Sequence, residues 1–547
     1  MDGMQSTDGE RRWRWRSLAL SVILGVTLFR LVYLALWCPF DLAPDEAHYW
    51  DWSRNLDWSY YSKGPLVAWI IRGSLELFGP LSIQLTGSEV LAIRLPAVLC
   101  GSMILLALYI LTTLVYRKES WSFVVVLVAL TWPTISAASL LMTIDSPFLC
   151  CWSWSLVAGY YAFIRQKKWA FPVTGLLIAI GILAKYTMAL WLFSAGLFLL
   201  FSASHRQLLF RPGFWIMASV ASLSAIPILY WNWQNDWVTF KHVATQAGVE
   251  GQKSSGIRWA GPIEFLGGQF GLLLGYWFVA WIAAMVVSRP SRETRPEIRY
   301  LWWMSMPTIG LFTLVSLKAG TQINWPVAAY LSGMILALAW VIQQLTHPSP
   351  GYRKLAQVGF SLICLLGLTI NVIIHDTGKL HPILAQIAGP PTLENPFPIR
   401  QFDPTCRLRG WQYLASQVDD LKEKLKREEG QTPEIAGLNW MMPGQLGFYC
   451  EGHPTVYSLG LAMGDRHSQY DLWHPNPLED AQVFAGKTFV FVGVGNPPLD
   501  QAFEKVDPPQ VVNYQEKGNP LNSWNLWVCR NYKGFASFES KQNPRRY

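Results

Sequence analysis

The sequence contains few charged residues for its length. Asp, Glu, Lys and Arg make up 15% of the 547 residues, whereas soluble domains usually carry about 25%. Hydrophobic residues make up 51% of the chain, and the mean hydropathy is +0.21. This composition argues against an ordinary soluble domain and favours a membrane protein. The net charge of +8 does not indicate nucleic-acid binding, because the Lys and Arg residues lie between apolar stretches and form no single patch.

Several common catalytic and cofactor-binding motifs are absent. The chain has no HExxH, P-loop, GxSxG or CxxC sequence, so the usual signals of zinc proteases, nucleotide-binding loops, serine hydrolases and thiol redox sites are missing. Five of the eight cysteines lie in or beside apolar stretches, where a small hydrophobic role is the default. Cys406, Cys450 and Cys529 lie in the polar C-terminal third and allow at most one disulfide, for which Cys450–Cys529 is the candidate pair.

Long apolar stretches are the main feature that is present. A helix needs roughly 20 mostly apolar residues to cross a bilayer. We predict about eleven spans, with up to about thirteen possible, at 17–37, 95–116, 121–141, 146–164, 170–184, 186–203, 213–231, 262–288, 300–317, 322–343 and 355–374. Lys185 separates two of the shorter stretches, so these two could form one kinked unit. The predicted fold class is a polytopic α-helical membrane protein whose transmembrane part covers 17–374.

The Lys and Arg residues indicate which side of the membrane each loop faces. They lie at the N-terminus and in every second loop, at about three times the density found in the opposite short loops. Because basic loops stay on the cytoplasmic side, we predict a cytoplasmic N-terminal tail at 1–16 and an odd number of spans. The segment at 38–94 is then the first outward loop, and the segment at 375–547 is extracytoplasmic.

The segment at 375–547 is polar and differs from the rest of the chain. Its sequence predicts a helix at Trp411–Glu428 and strands at Pro433–Trp440, Thr455–Leu459, Lys487–Val494 and Ser523–Cys529. Alternation of a helix with short strands is typical of a small α/β domain. We therefore expect a C-terminal extracytoplasmic α/β domain.

The first outward loop has the densest group of reactive side chains. It contains Asp45, Glu46 and His48 among aromatic residues that include Tyr61. Adjacent carboxylates raise the pKa of one member, which suits a general base or a metal ligand, and we favour such a role for Asp45 and Glu46. Aromatic side chains such as Tyr61 could stack on a sugar, but anchoring at the membrane surface is the simpler explanation for most of them.

Further polar residues are expected on the same side of the membrane, namely Arg94, Asp145, Lys185, Lys318 and Asn324. Cations that face carboxylates there would bind a phosphate diester and leave one carboxylate free as a base. Asp145 could instead cap a helix, and Arg94 and Lys318 could extend toward the membrane surface. Extension toward the membrane surface explains Lys185 poorly, because apolar residues flank it on both sides.

A divalent metal ion is a further candidate ligand of this region. The candidate metal ligands are His48 in the first outward loop and His242 in the loop at 232–261. A single histidine is more often structural than a ligand, so the sequence leaves metal binding open.

Six short motifs resemble, in order, those of the protein O-mannosyltransferase and aminoarabinose-transferase superfamily of membrane glycosyltransferases. They are Pro44-Asp45-Glu46-Ala47-His48-Tyr49, Ser62-Lys63-Gly64-Pro65-Leu66, Arg94-Leu95-Pro96, Asp145-Ser146-Pro147, Ala184-Lys185-Tyr186 and Asn324-Trp325-Pro326. The stretch Ser468-Gln469-Tyr470-Asp471-Leu472-Trp473 also resembles the C-terminal tails of this superfamily. The resemblance covers roughly 17–375 and implies a fold of the GT-C glycosyltransferase type.

The resemblance also implies roles for individual residues. In the superfamily the first-loop aspartate is the general base, which corresponds to Asp45, and a lysine before a Pro-Leu turn contacts the donor phosphate, which corresponds to Lys63. Members often carry an acidic residue and a proline where this chain has Ser62 and Gly64. The acidic residue can bind a metal ion, so its replacement puts metal dependence in doubt and leaves Glu46 or His48 as weaker candidates for a metal ligand.

The function implied by the resemblance is an inverting sugar transfer outside the cytoplasm. The donor would be a polyprenyl-phosphate-linked sugar, and the acceptor a hydroxyl group of a lipid, glycan or protein, with Asp45 as the general base and Glu46 in support. A bacterial inner membrane is the expected location. The main alternative is a transporter or flippase of a lipid-linked or anionic substrate, and a hydrolase of lipid-linked sugars or an envelope scaffold would also fit the composition.

Overall fold

The computed structural model describes residues 2–246 and 256–535, with side chains described from residue 13 onward. Residues 247–255 of the predicted loop at 232–261 lie outside this description. Among the described residues, the membrane part contains seventeen α-helices: α1 (Asp2–Leu36), α2 (Pro44–Arg54), α3 (Leu66–Thr86), α4 (Val90–Tyr116), α5 (Glu119–Ala129), α6 (Pro133–Ala138), α7 (Asp145–Gly159), α8 (Ala170–Ala184), α9 (Ala189–Phe201), α10 (Pro212–Ser222), α11 (Ala225–Gln234), α12 (Val238–Gln246), α13 (Gly261–Leu272), α14 (Tyr276–Val287), α15 (Pro296–Val315), α16 (Ala329–Leu345) and α17 (Pro350–His375).

Six helical segments in the described part of the chain are long and apolar enough to cross a membrane. They are Trp13–Leu36, Leu66–Thr86, Val90–Tyr116, Asp145–Ile164, Pro212–Gln234 and Pro350–His375. The pair α13 and α14 would be a seventh, although its two halves meet at 111°. Four shorter apolar helices also belong to the bundle: Glu119–Ala129, Ala170–Ala184, Tyr186–Phe201 and Ala329–Leu345. These candidate spans are identified by length and composition alone, so the exact number of spans stays a prediction.

Two predicted spans are broken in the structure, each for a local reason. In the stretch at 121–141, Pro133 starts a new short helix, because proline cannot donate the hydrogen bond that would continue α5. In the stretch at 262–288, Leu274 and Gly275 both have positive φ angles of 54° and 67°. That conformation ends α13 and turns the chain sharply into α14.

Helix α3 lies inside the stretch that was predicted as the first outward loop. Its Ser74 hydroxyl donates to the Ala92 carbonyl at 2.6 Å, and its Ser82 hydroxyl donates to the Ser88 carbonyl at 2.6 Å. If α3 and α4 formed an antiparallel hairpin with so short a turn, Ser74 would contact a residue of α4 roughly ten positions beyond Ala92. Because Ser74 contacts Ala92 instead, α3 crosses the start of α4. This arrangement is compatible with an outward loop.

The bundle is held together by one large apolar core. Its bulkiest fully buried members are aromatic and come from five helices and the helical turn after α7: Trp152, Tyr160, Trp191, Trp277, Tyr300 and Tyr330. A smaller core beneath α2 joins Trp50 and Trp52 to Met142 and Ile144, and to Phe448 of the C-terminal domain. This second core fixes α2 over the outer end of the bundle.

The C-terminal segment forms an α/β domain around a mixed sheet. Its elements are α18 (His381–Ala388), α19 (Trp411–Glu429), β1 (Glu434–Gly437), α20 (Met441–Tyr449), β2 (Val456–Ser458), α21 (Ala481–Phe484), β3 (Phe489–Gly493), β4 (Phe503–Val506), β5 (Gln510–Glu516) and β6 (Asn519–Tyr532). The strand order is β2-β1-β3-β6-β4, and β5 also pairs with β6. Strands β1, β2 and β3 are parallel, whereas β6 is antiparallel to its neighbours.

The predicted Cys450–Cys529 disulfide is wrong. Both residues are free thiols, and they belong to different cores. Side chains alternate across β3, so that Val490 shares the core of Cys450 while Phe489, which pairs with Cys529, faces the opposite side. The sheet therefore lies between the two sulfur atoms.

Candidate functional site

A cavity of about 770 Å³ lies between the outer end of the bundle and the C-terminal domain. Its wall combines residues of the first outward loop, of the ends of several helices and of the C-terminal domain. Six of the described residues that line it have charged side chains: Asp45, Lys63, Asp145, Lys185, Arg407 and Arg466. The predicted site residues Tyr61, Asn324, His48 and His242 line the same cavity.

Asp45 lies in the first turn of α2 and faces the cavity. Pro44 precedes it at the first helical position, which favours helix initiation, and the unpaired N–H groups of this turn favour a negative charge. The surrounding protein nevertheless displaces water and raises the pKa of Asp45 above the ordinary carboxyl value. Positive charges on Arg407, Lys63 and Arg466 offset part of this increase. The result is a carboxylate that is accessible from the cavity and more basic than a solvated aspartate.

Glu46 points away from the cavity and forms a buried ion pair with Arg94. The Arg94 Nη2 atom donates to Glu46 Oε2 at 2.8 Å, and both side chains are at most 1% exposed. The backbone N–H groups of Ala43 and Met142 also donate to this carboxylate, at 2.9 and 2.8 Å. The Arg94 guanidinium further donates to the carbonyl of Asp41 at 2.8 Å. Neither Glu46 nor Arg94 lines the main cavity, so the structure does not bring these two predicted site residues to it.

Lys63 follows α2 in a loop that passes very close to the end of α8. A Cβ atom at Gly64 would lie within 3.0 Å of the Leu183 carbonyl, so only glycine allows this approach. The approach brings Lys63 toward Lys185, which directly follows α8. Burial, and then the positive charge of Lys185, lower the pKa of Lys63 to about 8.

Lys185, Asp145 and Asn324 form a hydrogen-bonded group on the cavity wall. The Lys185 Nζ atom lies 2.6 Å from Asp145 Oδ1, and Asn324 Nδ2 donates to Asp145 Oδ2 at 3.1 Å. Both carboxylate oxygens of Asp145 are thus engaged by other side chains, and Asp145 does not cap its own helix. The helix-capping alternative is therefore not supported, and Lys185 is paired although it interrupts apolar sequence.

The C-terminal domain supplies two arginines that sequence reasoning missed. Arg407 and Arg466 are exposed to the cavity, and both influence Asp45 electrostatically. The Arg466 guanidinium lies 5.1 Å from the ring centre of Trp440, in a cation–π contact. No spacing in the sequence marks these arginines, but Arg466 lies just before the family-like stretch at 468–473.

The stretch at 468–473 fastens the C-terminal domain to the first outward loop. The Tyr61 backbone N–H donates to Gln469 Oε1 at 2.7 Å, and the Tyr470 hydroxyl lies 3.1 Å from His48 Nδ1. Ser468 donates its hydroxyl to Asp471 at 2.9 Å and so fixes the turn that presents these residues. This motif thus positions the wall of the cavity.

Tyr61 is packed between two histidines. Its ring stacks on His467 with centres 5.2 Å apart and contacts His242 at 4.8 Å. Burial lowers the pKa of both histidines to about 4, so both are neutral near pH 7. Tyr61 therefore belongs to an aromatic cluster in the wall.

The residues at the cavity do not assemble a metal site in the described part of the chain. His48 is surrounded by aromatic rings, including those of Trp52 and Trp440. Within the described ranges, three donor side chains of His, Cys, Asp or Glu come close enough to share an ion at one place, His381–Asp403–Cys406. That group does not line the cavity and contains neither His48 nor His242. His48 and His242 therefore belong to no such group among the described residues, and the metal ion that the sequence left open stays a prediction.

Two other features complete the site. Lys318 is exposed and does not line the cavity, so the structure leaves it outside the predicted group. A second cavity of about 490 Å³, almost entirely apolar, adjoins the first and shares Thr134, Ala137 and Leu141 with it. A polar cavity therefore adjoins an apolar one where the bundle meets the C-terminal domain.

Comparison with known proteins supports the relationship predicted from the motifs. Residues 62–231 match the family described as dolichyl-phosphate-mannose-protein mannosyltransferase. The chain is 31% identical to the lipid A galacturonosyltransferase RgtD of Rhizobium johnstonii over 329 residues, which cover 59% of this chain and 65% of that protein. It is 26% identical to the undecaprenyl phosphate-alpha-4-amino-4-deoxy-L-arabinose arabinosyl transferase of Yersinia pestis over 346 residues, which cover 57% of this chain and 58% of that protein. The chain thus spans less than two thirds of the length of these curated relatives.

Two solved structures share the fold. ArnT from Cupriavidus metallidurans, bound to undecaprenyl phosphate, matches with a TM-score of 0.60 and 16% identity over 93% of this chain and 97% of that chain. The oligosaccharyltransferase AglB from Archaeoglobus fulgidus, in complex with an inhibitory peptide and a dolichol-phosphate, matches with a TM-score of 0.50 and 12% identity over 86% and 69%. The predicted fold class, a multi-pass membrane protein of the GT-C type, is confirmed, and the sequence is similar to members of the protein O-mannosyltransferase and aminoarabinose-transferase superfamily.

Proposed function

We propose that the protein is a glycosyltransferase that moves a sugar from a polyprenyl-phosphate-linked donor to a hydroxyl group of a lipid, glycan or protein. The observation that carries this proposal is the pairing of two adjoining cavities. One holds a basic carboxylate, Asp45, opposite Lys63 and Lys185, and the other is apolar. A donor that joins a sugar, a phosphate and a long apolar chain has the matching chemistry. The names of the relatives, which include a lipid A galacturonosyltransferase and an undecaprenyl-phosphate-dependent transferase, support this class of substrate.

The donor would be held at its phosphate and at its apolar chain. Lys63 makes no ion pair with another described residue, and burial, followed by the positive charge of Lys185, lowers its pKa. A phosphodiester placed between these two ammonium groups would relieve their repulsion. The prenyl chain would occupy the apolar cavity, where its burial is favourable because it leaves water.

The transfer itself needs one base and one stabilised leaving group. Asp45 takes the proton of the acceptor hydroxyl as the oxygen attacks the anomeric carbon. The bond between that carbon and the phosphate oxygen breaks, and polyprenyl phosphate leaves from the opposite face with inversion. The leaving phosphate changes from one negative charge to about two, and Lys63 and Lys185 stabilise the added charge. The proton on Asp45 then passes to solvent in the cavity.

The same geometry argues for chemistry at one membrane surface and against transport through the midplane. Asp145 begins α7, Lys185 directly follows α8 and Asn324 precedes α16. Transporter sites usually lie near the midplane between repeated halves, whereas these residues lie at helix ends beneath the C-terminal domain. We place this surface on the extracytoplasmic side of a bacterial inner membrane, with the N-terminus in the cytoplasm, because the basic loops lie at the opposite helix ends.

The test is sugar transfer by the Asp45→Asn variant with a synthetic polyprenyl-phosphate sugar. We expect the rate of the chemical step to fall by about 10²–10⁴, since general-base catalysis typically contributes that much. Asp51→Asn is the matched control, because Asp51 lies on the same helix but does not line the cavity. Full activity of Asp45→Asn would remove this residue from the role of base. Movement of the donor across vesicles without transfer would instead favour the flippase alternative.

A further inference from the structure

Three side chains of the types that bind metal ions meet where the last membrane helix, α17, passes into the C-terminal domain. They belong to His381, Asp403 and Cys406, and their ligand atoms all lie within 4.8 Å of one another. The three residues are 0%, 3% and 1% exposed. They line neither of the two cavities, so the proposed transfer reaction does not account for them.

The local backbone directs the three side chains toward one another. His381 is the first residue of α18, shortly after the end of α17. Asp403 precedes a 3₁₀ turn at Pro404–Leu408 that contains Cys406, and side chains three residues apart lie on the same side of such a turn. Asp403 Oδ1 accepts hydrogen bonds from the Thr405 N–H and hydroxyl groups at 2.8 and 2.7 Å. Its other oxygen, Oδ2, lies 2.9 Å from His381 Nε2.

The donor atoms of this group match the ligands of a zinc ion. Zinc binds imidazole nitrogen, thiolate sulfur and carboxylate oxygen in a tetrahedral arrangement. Bonds of about 2.1 Å from zinc to nitrogen and oxygen place these two ligand atoms about 3.3 Å apart. The present contact of 2.9 Å between His381 and Asp403 therefore needs to open only slightly. Binding removes the thiol proton of Cys406, and water fills the fourth position.

The charges of such a site balance. The Asp403 carboxylate and the Cys406 thiolate together neutralise the two positive charges of zinc, and the His381 imidazole stays neutral. A group without net charge can remain buried without a further counter-ion. The neighbouring carboxylate of Glu516 is already paired with Arg409, at 2.9 Å.

The second ring nitrogen of His381 is an independent observation in favour of a metal. Nδ1 is buried and has no hydrogen-bond partner among the described residues, and it lies 4.0 Å from Glu516 Oε2. Ligation through Nε2 requires the proton to be on Nδ1, on the side of this carboxylate. Histidines that bind metals almost always donate their other N–H to a carboxylate, a carbonyl or water. A metal ion thus explains a tautomer that the pair with Asp403 alone does not require.

We propose that His381, Asp403 and Cys406 bind a structural zinc ion, which joins the start of α18 to the turn at Pro404–Leu408. The ion closes the chain between these two points and so stabilises the connection between α17 and the C-terminal domain. Phe402, directly before Asp403, is 51% exposed, so zinc reaches the group from the surface of the domain.

The position of the turn gives this zinc ion an effect on the candidate site. Thr405 and Leu408 line the apolar cavity, and Arg407 lines the main cavity. The Leu408 carbonyl also accepts a hydrogen bond from the Asp41 N–H at 2.9 Å, just before α2. The ion would hold the turn that contributes to both cavity walls, without contacting a substrate. The inference therefore goes beyond the proposed transferase function and does not depend on it.

The test uses cobalt(II), which occupies tetrahedral zinc sites and gives a charge-transfer absorption band when a thiolate binds it. Full-length protein in detergent, without a histidine tag, should show this band, which should saturate at one ion per chain and disappear when zinc is added. Cys406→Ser should abolish the band, and Asp403→Asn should weaken cobalt affinity at least tenfold. Cys450→Ser is the matched control, a buried thiol in another core of the same domain. His242→Gln should also leave the band unchanged, because His242 lies at the cavity.

Stability gives a second measurement that needs no variant. Zinc should raise the Tm of the parent protein by several degrees, and EDTA should reverse the shift, because an ion that binds the folded state stabilises it. If Cys406→Ser does not fold, thiol alkylation of the parent protein decides instead. Zinc should slow the labelling of Cys406 and leave that of Cys450 unchanged.

The outcomes separate the zinc site from the transferase. A parent protein with no thiolate band, a band that survives Cys406→Ser, or labelling of Cys406 that ignores zinc overturns the proposed site, and His381 and Asp403 then form a pair without metal. None of these results bears on sugar transfer. Conversely, a zinc-dependent Tm in a protein that transfers no sugar would support the metal site and contradict the proposed function.

Discussion

Two adjacent carboxylates of the first outward loop have opposite environments. Successive residues of an α-helix point about 100° apart, so Asp45 faces the cavity while Glu46 turns into the protein and meets Arg94. The sequence shows the two acidic residues side by side. Only their different directions around the axis of α2 show that Asp45 is the candidate base and that Glu46 belongs to a buried ion pair. We therefore now assign Glu46 a structural role.

Because Glu46 is in a buried ion pair, its replacement by glutamine should lower the stability of the protein more than the same replacement of an exposed glutamate. Glu46→Gln leaves the Arg94 guanidinium buried without a counter-charge, and loss of one partner of a buried pair costs about 3–5 kcal/mol. We expect a Tm lower by several degrees, measured by thermal unfolding of detergent-purified protein. Glu76→Gln is the control, because Glu76 pairs with Arg72 on an exposed helix face, where such pairs contribute little. Equal stability of the two variants would contradict the structural role.

The pH dependence of transfer follows from two residues of the proposed mechanism that must have opposite protonation states. Asp45 must be deprotonated, so kcat/KM should fall as the pH drops through its pKa, which lies above the ordinary carboxyl value. Lys63 must be protonated, so kcat/KM should fall as the pH rises through about 8. One pH unit beyond that point should give roughly a tenfold loss.

Lys63→Arg tests the alkaline side of this profile. A guanidinium group keeps its charge at all pH values of interest, so the alkaline decline should move to higher pH while the acidic limb stays in place. The measurement is kcat/KM between pH 5 and 10 for both proteins, with a saturating acceptor. An unchanged alkaline limb in Lys63→Arg would assign that limb to another group.

At the scale of helices and strands, sequence periodicity predicted most of the architecture. The helix expected at Trp411–Glu428 is observed at Trp411–Glu429, and each predicted strand contains or overlaps an observed one. Strands β4 and β5 were missed, because their exposed faces are polar and their apolar pattern is short. Long-range contacts were not predictable either. The sequence motifs located Asp45, Lys63, Asp145 and Lys185, but nothing local could reveal that distant arginines complete the same cavity.

The loop that carries Lys63 depends on a close approach between two elements. Gly64→Ala would place a methyl group against the Leu183 carbonyl at the end of α8. Forcing extra atoms into such a contact typically costs about 1–3 kcal/mol, and relief of the clash would move Lys63 away from Lys185. We expect a lower Tm together with a higher KM for the donor.

Gly73→Ala is the matched control for this substitution. Gly73 lies in α3, and a Cβ atom there would meet no atom within 4 Å. Because alanine favours helix formation over glycine, this variant should be at least as stable as the parent and equally active. A Gly64→Ala protein with unaltered donor KM would show that the approach to α8 does not position Lys63.

At the scale of the whole molecule, the C-terminal domain completes the cavity. It is fastened to the segment before α2 by several direct hydrogen bonds. Leu42 N–H donates to the Tyr449 hydroxyl at 2.7 Å, Gln445 Nε2 donates to the Leu42 carbonyl at 2.8 Å, and Trp411 N–H donates to Asp41 Oδ2 at 2.8 Å. Arg407, Arg466 and Trp440 of this domain line the cavity. The domain is therefore part of the candidate site.

Helix α20 tests this dependence, because it packs directly on the backbone of α2. A Cβ atom at Gly444 would lie 2.8 Å from the His48 nitrogen and 2.9 Å from the Ala47 carbonyl carbon, so Gly444→Ala must push the two helices apart. We expect slower transfer and faster amide hydrogen exchange in α2, since Arg466 would withdraw from Asp45. Gly447→Ala is the control on the same helix, because its nearest neighbour would be 3.4 Å away. If Gly444→Ala loosens α2 but transfer proceeds at the parent rate, the membrane part alone forms a working site, and the arginines of the C-terminal domain contribute nothing to the reaction.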